Sequence, residues 1–313
     1  MKKLLVGTAL LVSSVFAQTS LHSILENVSV PNVNKSIEAA KSLKKDMNKE
    51  NFKTLVTNWK KVESLYFAGD IDENYIDTPR YIDVYHNLKE DLSVQMKRAI
   101  ASDDEPKVAL FKNSFRTINA LEYVLFNDDT ITKREKLLAV NILDTIISNL
   151  NDIKDVYKEY LNGNAKSEKW ENSLVINTLI SSSYKLREWR IGEPSGFAAK
   201  YKNDPKNERS EYYLSKNSLN AIKAILVAHD EIIGDKSYEN FATMAKNAGA
   251  KKAILEAQEA LNKSLKVLKN YKNDDFTNAK ALYEATKELH NAYYLSLVED
   301  LAVTAKILDA DGD

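Results

Sequence analysis

Cysteine is absent from the 313 residues, and that alone removes several chemistries. Disulfides, thiolate metal sites, Cys nucleophiles and a lipid-modified N-terminal Cys are all excluded. Glycine and proline are scarce, 8 and 5 in the whole chain, which disfavours a turn-dense β fold. Net charge is nearly missing too: 44 basic residues stand against 45 acidic ones, so the balance is −1. Such a chain has no general electrostatic reason to bind nucleic acid or an anionic membrane. Histidine occurs four times, at His22, His86, His229 and His290, and no His-Glu-x-x-His pair exists, so a zincin site is excluded.

What the chain has is helix-forming sequence: runs of Ala, Leu, Lys, Glu and Asn, with 44% hydrophobic residues, enough for a substantial core. The start reads as a secretory signal. Lys2 and Lys3 precede an apolar run from Leu4 to Phe16, too short to span a bilayer comfortably. Val15-Phe16-Ala17 has the small residues that predict cleavage before Gln18. No second long apolar run follows, so the mature protein is expected to be exported, to the periplasm, without a membrane span.

Apolar positions at steps of three and four predict helices over 33–48, 51–67, 81–101, 106–127 and 132–161. Further helices are predicted over 167–190, 211–230, 237–247, 249–270 and 276–308. Residues 69–80 read as a polar loop. Asn162-Gly163-Asn164 breaks the pattern and places a boundary, giving a signal peptide at 1–17, an N-terminal bundle at 18–163 and a C-terminal bundle at 164–313. The segment Lys112-Asn113-Ser114 before Ile118-Asn119-Ala120-Leu121 is echoed by Lys216-Asn217-Ser218 before Leu219-Asn220-Ala221-Ile222. Either the halves are repeats, or two amphipathic helices coincide by chance.

The stretch from Phe115 to Phe126 draws attention for its polar pair. Asn119 and Glu122 are three apart, hence neighbours on a helix, and align with Phe115 and Phe126 beside an apolar stripe. A carboxylate there needs a partner, or its pKa rises. Glu63 lies four after Trp59 on another buried edge. Arg80, Arg116, Arg187 and Arg190 are candidate partners for Glu63, Glu122, Glu188 and Glu193. Arg116 and Glu122, six apart, do not face each other. Asp83, His86 and Glu90, at steps of three and four, read as a solvated helix face or as part of a metal site. His229 reads as a helix-end residue and His290 as a core one. Asp309, Asp311 and Asp313 echo the opening of a calcium loop, but the chain stops before the rest of it, and a frayed acidic end is the better reading.

Ile118 to Phe126 resembles the signature helix of the imelysin-like family, Gly-x-His-x-x-Glu. Glu122 stands at the Glu position, Asn119 where the family has His, and Thr117 where it has Gly. The segment from Trp59 to His86, Trp189-Arg190-Ile191-Gly192-Glu193-Pro194 and the Asp-Gly-Asp tail are also similar to the family's. The resemblance implies an all-α fold of two related helical bundles with a polar site between them. It places Asn119, Glu122, Glu63, Arg80, Arg190 and Glu193 there, with Glu122 as a metal ligand and Arg190 or Arg80 as its cation. It implies a divalent metal ion or iron, or a small or peptide ligand, and envelope protein partners. Asparagine is a neutral oxygen ligand and not a general base. The favoured expectation is therefore an exported, non-catalytic protein of metal or iron uptake. A metallopeptidase of the imelysin type and a structural module of the periplasm are the alternatives.

Overall fold

The computed structural model describes residues 19–87, 90–163 and 165–305. The signal-peptide stretch and the Asp309–Asp313 tail lie outside them. Every regular element described is helical, as expected.

The first helix is long and interrupted. It runs as α1 (Ser20–Ile24), a π-helical turn (Leu25–Ser29) and α2 (Val30–Lys45). Asn48 accepts the Asn51 N–H and starts α3 (Lys49–Ser64). Phe52, Leu55, Val56, Trp59 and Val62 of α3 are all buried, as their spacing requires. Fully burying a Leu or Phe contributes about 1.5–3 kcal/mol. Short helices follow: α4 (Ala68–Ile71), α5 (Thr78–Ile82), α6 (Leu92–Ala101), α7 (Pro106–Ala109) and α8 (Ile118–Phe126). The capping box of Thr132 and Glu135 opens α9 (Lys133–Asn162). Its stripe of Leu143, Ile146, Leu150, Ile153, Tyr157 and Tyr160 is buried.

The rest comprises α10 (Glu168–Lys185), a π-helical segment (Leu186–Gly192), α11 (Glu193–Ser195), α12 (Ser218–Ile233) and α13 (Phe241–Asn247). It closes with α14 (Lys251–Leu268), α15 (Lys280–Asn291), a third π-turn (Ala292–Leu297) and α16 (Val298–Asp300). Helices α2, α3, α8 and α9 pack on one another, and so do α10, α12, α14 and α15. Between the two groups α3 lies along α12, and α1 reaches across to α10 and α13.

Three predicted helices are cut by tertiary contacts. The one expected over 81–101 stops at Ile82: Asp83 is extended, His86 is left-handed at φ 66°, and Asp91 caps a new start by accepting the N–H groups of Ser93 and Val94. Asp83, His86 and Glu90 therefore share no helix face. The one expected over 106–127 divides at Thr117, which is extended and caps α8 through the Ala120 N–H. Phe111, placed on the apolar stripe, is 69% exposed. The one expected from 211 begins only at Ser218, where Asp274 accepts the Ser218 and Leu219 N–H groups at 2.6 and 2.9 Å. The loop expected at 69–80 is built largely of single helical turns.

Candidate functional site

Where α3 meets the second group of helices, five charged side chains converge. Lys60 follows Val56 by four on α3, so the buried face of the helix carries an ammonium into the protein, and its side chain is 0% exposed. Its Nζ donates to Glu63 Oε2 at 2.6 Å, to Asp83 Oδ2 at 2.7 Å and to Glu211 Oε1. Arg190 enters from the π-helical segment. It donates to Glu211 through Nε at 2.8 Å and to both Glu63 oxygens through Nη2 at 3.1 and 2.9 Å. Asp83 also accepts from Trp59 Nε1 at 3.0 Å, the Tyr212 hydroxyl at 2.8 Å and the Tyr85 N–H at 2.9 Å.

The backbone is strained on both sides of this cluster. Tyr212, buried and bulky, sits at φ 58°, and His86 at φ 66°. Such positions hold only where the surroundings over-determine them. Tyr85 donates to the carbonyls of Trp189 and Arg209, both at 3.0 Å. The His86 ring stacks on Trp189 with centroids 4.0 Å apart, and its Nε2 meets Glu193 Oε1 at 2.6 Å. A π-turn often marks a functional stretch, and this one presents Trp189 and Arg190 together.

Charge here is set by a contest between burial and pairing. Burial opposes the Lys60 ammonium, yet Asp83, Glu211 and Glu63 outweigh it and push the group up to about 12. Burial likewise raises Asp83, but Lys60, with donors from Tyr85 and Tyr212, holds it well below the usual carboxylate range. Glu63 is lowered by Arg190 and Lys60 against its own burial. Three carboxylates facing two cations leave one surplus negative charge in a dry place. Burial raises Glu211 against the pull of Arg190 and Lys60, both of which it bonds. Lys185, above the Trp189 ring at 5.5 Å, is lowered by burial and by the nearby Arg190, Arg80 and Lys60.

The expected site residues divide. Glu63, Arg190 and Glu193 belong to the junction. Asn119 and Glu122 border it as tethers: Asn119 Oδ1 accepts the Val84 N–H at 2.7 Å, fixing the chain just after Asp83. Glu122 is buried, as expected, but not by an arginine. Its Oε1 accepts the Ser215 N–H at 2.8 Å and hydroxyl at 2.7 Å. Arg190 is consumed by Glu63 and Glu211. Arg80 is exposed and paired with Asp77. Burial therefore raises the Glu122 carboxyl to about 7, with Glu211 and Asp83 pushing the same way against the Ser215 bonds. Arg116 bonds Asn113, and Arg187 bonds Glu188.

Lys60, Glu211 and Tyr212 were not anticipated. A lysine on the buried face of α3 was a readable signal, whereas Glu211 lies in an irregular stretch without periodicity. His229 is not terminal: it is wholly buried in α12 between the Ser182 hydroxyl at 2.9 Å and the Tyr293 hydroxyl at 3.2 Å, and burial lowers it to about 3. His290 meets the Ser183 hydroxyl at 3.0 Å and is lowered by burial to about 4.

Oxygens of Glu63, Asp83 and Glu211 lie within 4.8 Å of one another, a donor set of the kind hard divalent cations take. The Lys60 ammonium already bonds all three carboxylates. As they stand, the residues do not fit a divalent ion between them. Glu122 lies outside this trio.

A search of curated proteins finds no match. Among solved structures, the chain is similar to an imelysin-like protein from Psychrobacter arcticum 273-4, with a TM-score of 0.75 at 14% identity, covering 92% of this chain and 96% of that one. It is also similar to an iron-regulated protein A precursor from Parabacteroides distasonis ATCC 8503, with a TM-score of 0.68 at 13% identity, covering 90% and 94%. The family model described as imelysin, of the peptidase M75 class, matches residues 21–304, and the chain therefore belongs to the imelysin family.

Proposed function

We propose that this chain is an exported, non-catalytic binding protein that serves metal uptake or homeostasis, iron first, with the polar junction between its two helical bundles meeting a ligand or partner rather than a bare divalent ion. One observation carries the reading: the charges that meet at the junction are spent on one another. Lys60 and Arg190 satisfy Glu63, Asp83 and Glu211, and the motif residues Asn119 and Glu122 hold backbone and Ser215. Hydrolysis needs a base aimed at a water or a nucleophile, and these groups are held in structural bonds instead. The rim fits recognition better. Trp189 and His86 form a stacked pair beside Lys185, and Glu63 keeps 23% of its side chain exposed. A small or peptide-like ligand, or an envelope partner, would meet this rim.

Export rests on the Lys-Lys start, the short apolar run and Val-Phe-Ala. Among the described residues no helix is long and apolar enough to cross a membrane. The link to iron rests on membership of the family and on the similar iron-regulated precursor.

The test is a strain lacking the gene, grown under iron limitation, with cell iron measured by elemental analysis. Loss of the gene should lower cell iron, the full chain should restore it, and a chain without residues 2–17 should not. Unchanged iron would refute the role in uptake. Cleavage of an unfolded protein by the purified chain, abolished by Glu122→Gln, would restore the peptidase reading.

A further inference from the structure

We propose that Lys60 is the resident cation of the junction: its ammonium holds the place among Glu63, Asp83 and Glu211 that a divalent metal would take, and it keeps the native chain closed to such an ion there. This does not rest on the role in iron uptake.

Geometry comes first. An ammonium has three donors, and Lys60 spends one on each carboxylate, at 2.6 Å to Glu63, 2.7 Å to Asp83 and in contact with Glu211. The remaining acceptor positions are largely taken as well. Asp83 serves Trp59, Tyr212 and Tyr85, while Glu63 and Glu211 serve Arg190. A metal would have to displace bonds on all three ligands.

Charge balance points the same way. Three carboxylates with Lys60 and Arg190 sum to one negative charge. Adding a divalent ion beside both cations would leave a surplus positive charge in a dry site, next to an ammonium. The ion can enter only if Lys60 leaves or gives up its proton. Ion pairs to all three carboxylates hold that proton in place. Leaving is blocked by packing, since Lys60 lies within α3 with its side chain fully buried. Without the ammonium, the trio and Arg190 would sum to two negative charges, the complement of a divalent ion.

Trp59 reports on this directly, because its indole N–H is bonded to Asp83 at 3.0 Å. A paramagnetic ion in the trio would erase its NMR signal. The mature protein is labelled with ¹⁵N, the Trp59 indole signal is assigned with Trp59→Phe, and Mn²⁺ is added. The native chain should keep the signal through excess Mn²⁺, and Lys60→Ala should lose it near one equivalent. Loss of the signal in the native chain at one equivalent overturns the proposal, and so does a folded Lys60→Ala that keeps it in excess. Should Lys60→Ala not fold in metal-free buffer, it is refolded with millimolar Mn²⁺. A cooperative melt that appears only with the ion supports the proposal, and its absence overturns it. The native titration decides between open and closed even if the variant is lost.

Discussion

Replacing Glu122 by Gln separates the cost of its charge from the value of its hydrogen bonds. Glu122 is only 7% exposed, and burial raises its carboxyl from 4.5 to about 7. The folded state thus holds this proton more tightly than the unfolded chain does. Its contribution is fully present below about pH 4.5 and is lost as pH rises through about 7. At about 1.4 kcal/mol per pH unit, the gap amounts to about 3 kcal/mol of strain at pH 8 and under about 1 kcal/mol at pH 5. A Gln oxygen can accept the same two bonds from Ser215 and carries no charge. Relative to the native protein, Glu122→Gln should therefore gain about 2 kcal/mol between pH 5 and pH 8. At about 2–3 °C per kcal/mol, the melting temperatures should separate by about 5 °C over that range. Glu122→Leu should be worse than Gln at both pH values, because it removes the acceptor of the half-buried Ser215 N–H and hydroxyl, a loss of about 1 kcal/mol per bond. Paired thermal melts at the two pH values measure this. A gap between Gln and native protein that does not change with pH would refute the reasoning, and would mean that a cation reaches Glu122 after all.

Three further outcomes are expected. Lys60→Met should lose about 3–5 kcal/mol at pH 8, since three carboxylates would be left with Arg190 alone; an unchanged urea midpoint would contradict this. Asp274→Ala removes the distant cap on α12 and should cost about 1–2 kcal/mol, with faster amide exchange confined to the first turn of that helix; slow exchange there would count against it. N-terminal sequencing of exported material should begin at Gln18, and a start at Met1 would show the leader to be retained.

The split between local and tertiary information runs through particular residues. Helices α3, α9 and α14 were legible because their buried positions recur at the helical period and their partners need only be apolar. The capping box at Thr132 and Glu135 is a contact within four residues, and it too could be read. Of the residues the family resemblance implied, Glu63 and Arg190 bond each other and Glu193 meets His86. The pairing could not be read. Lys60 and Glu211 are 151 residues apart, Arg190 and Glu63 127, and Glu122 and Ser215 93. No local pattern ranks one arginine over another as the partner of a given carboxylate. Packing α3 against α12 decides it, by bringing a buried ammonium and a guanidinium to three acids and leaving Glu122 with only a hydroxyl and an N–H. The broken helices have the same cause. Asp83 leaves α5 in an extended conformation, where Lys60, Trp59 and Tyr212 hold its carboxylate more strongly than helix propensity holds its backbone. Local sequence settled most of the helical segments and their apolar faces, because those follow from short-range sterics and periodicity. Only the tertiary structure settled which charges meet, because electrostatic choice in a dry interior depends on every group brought there together.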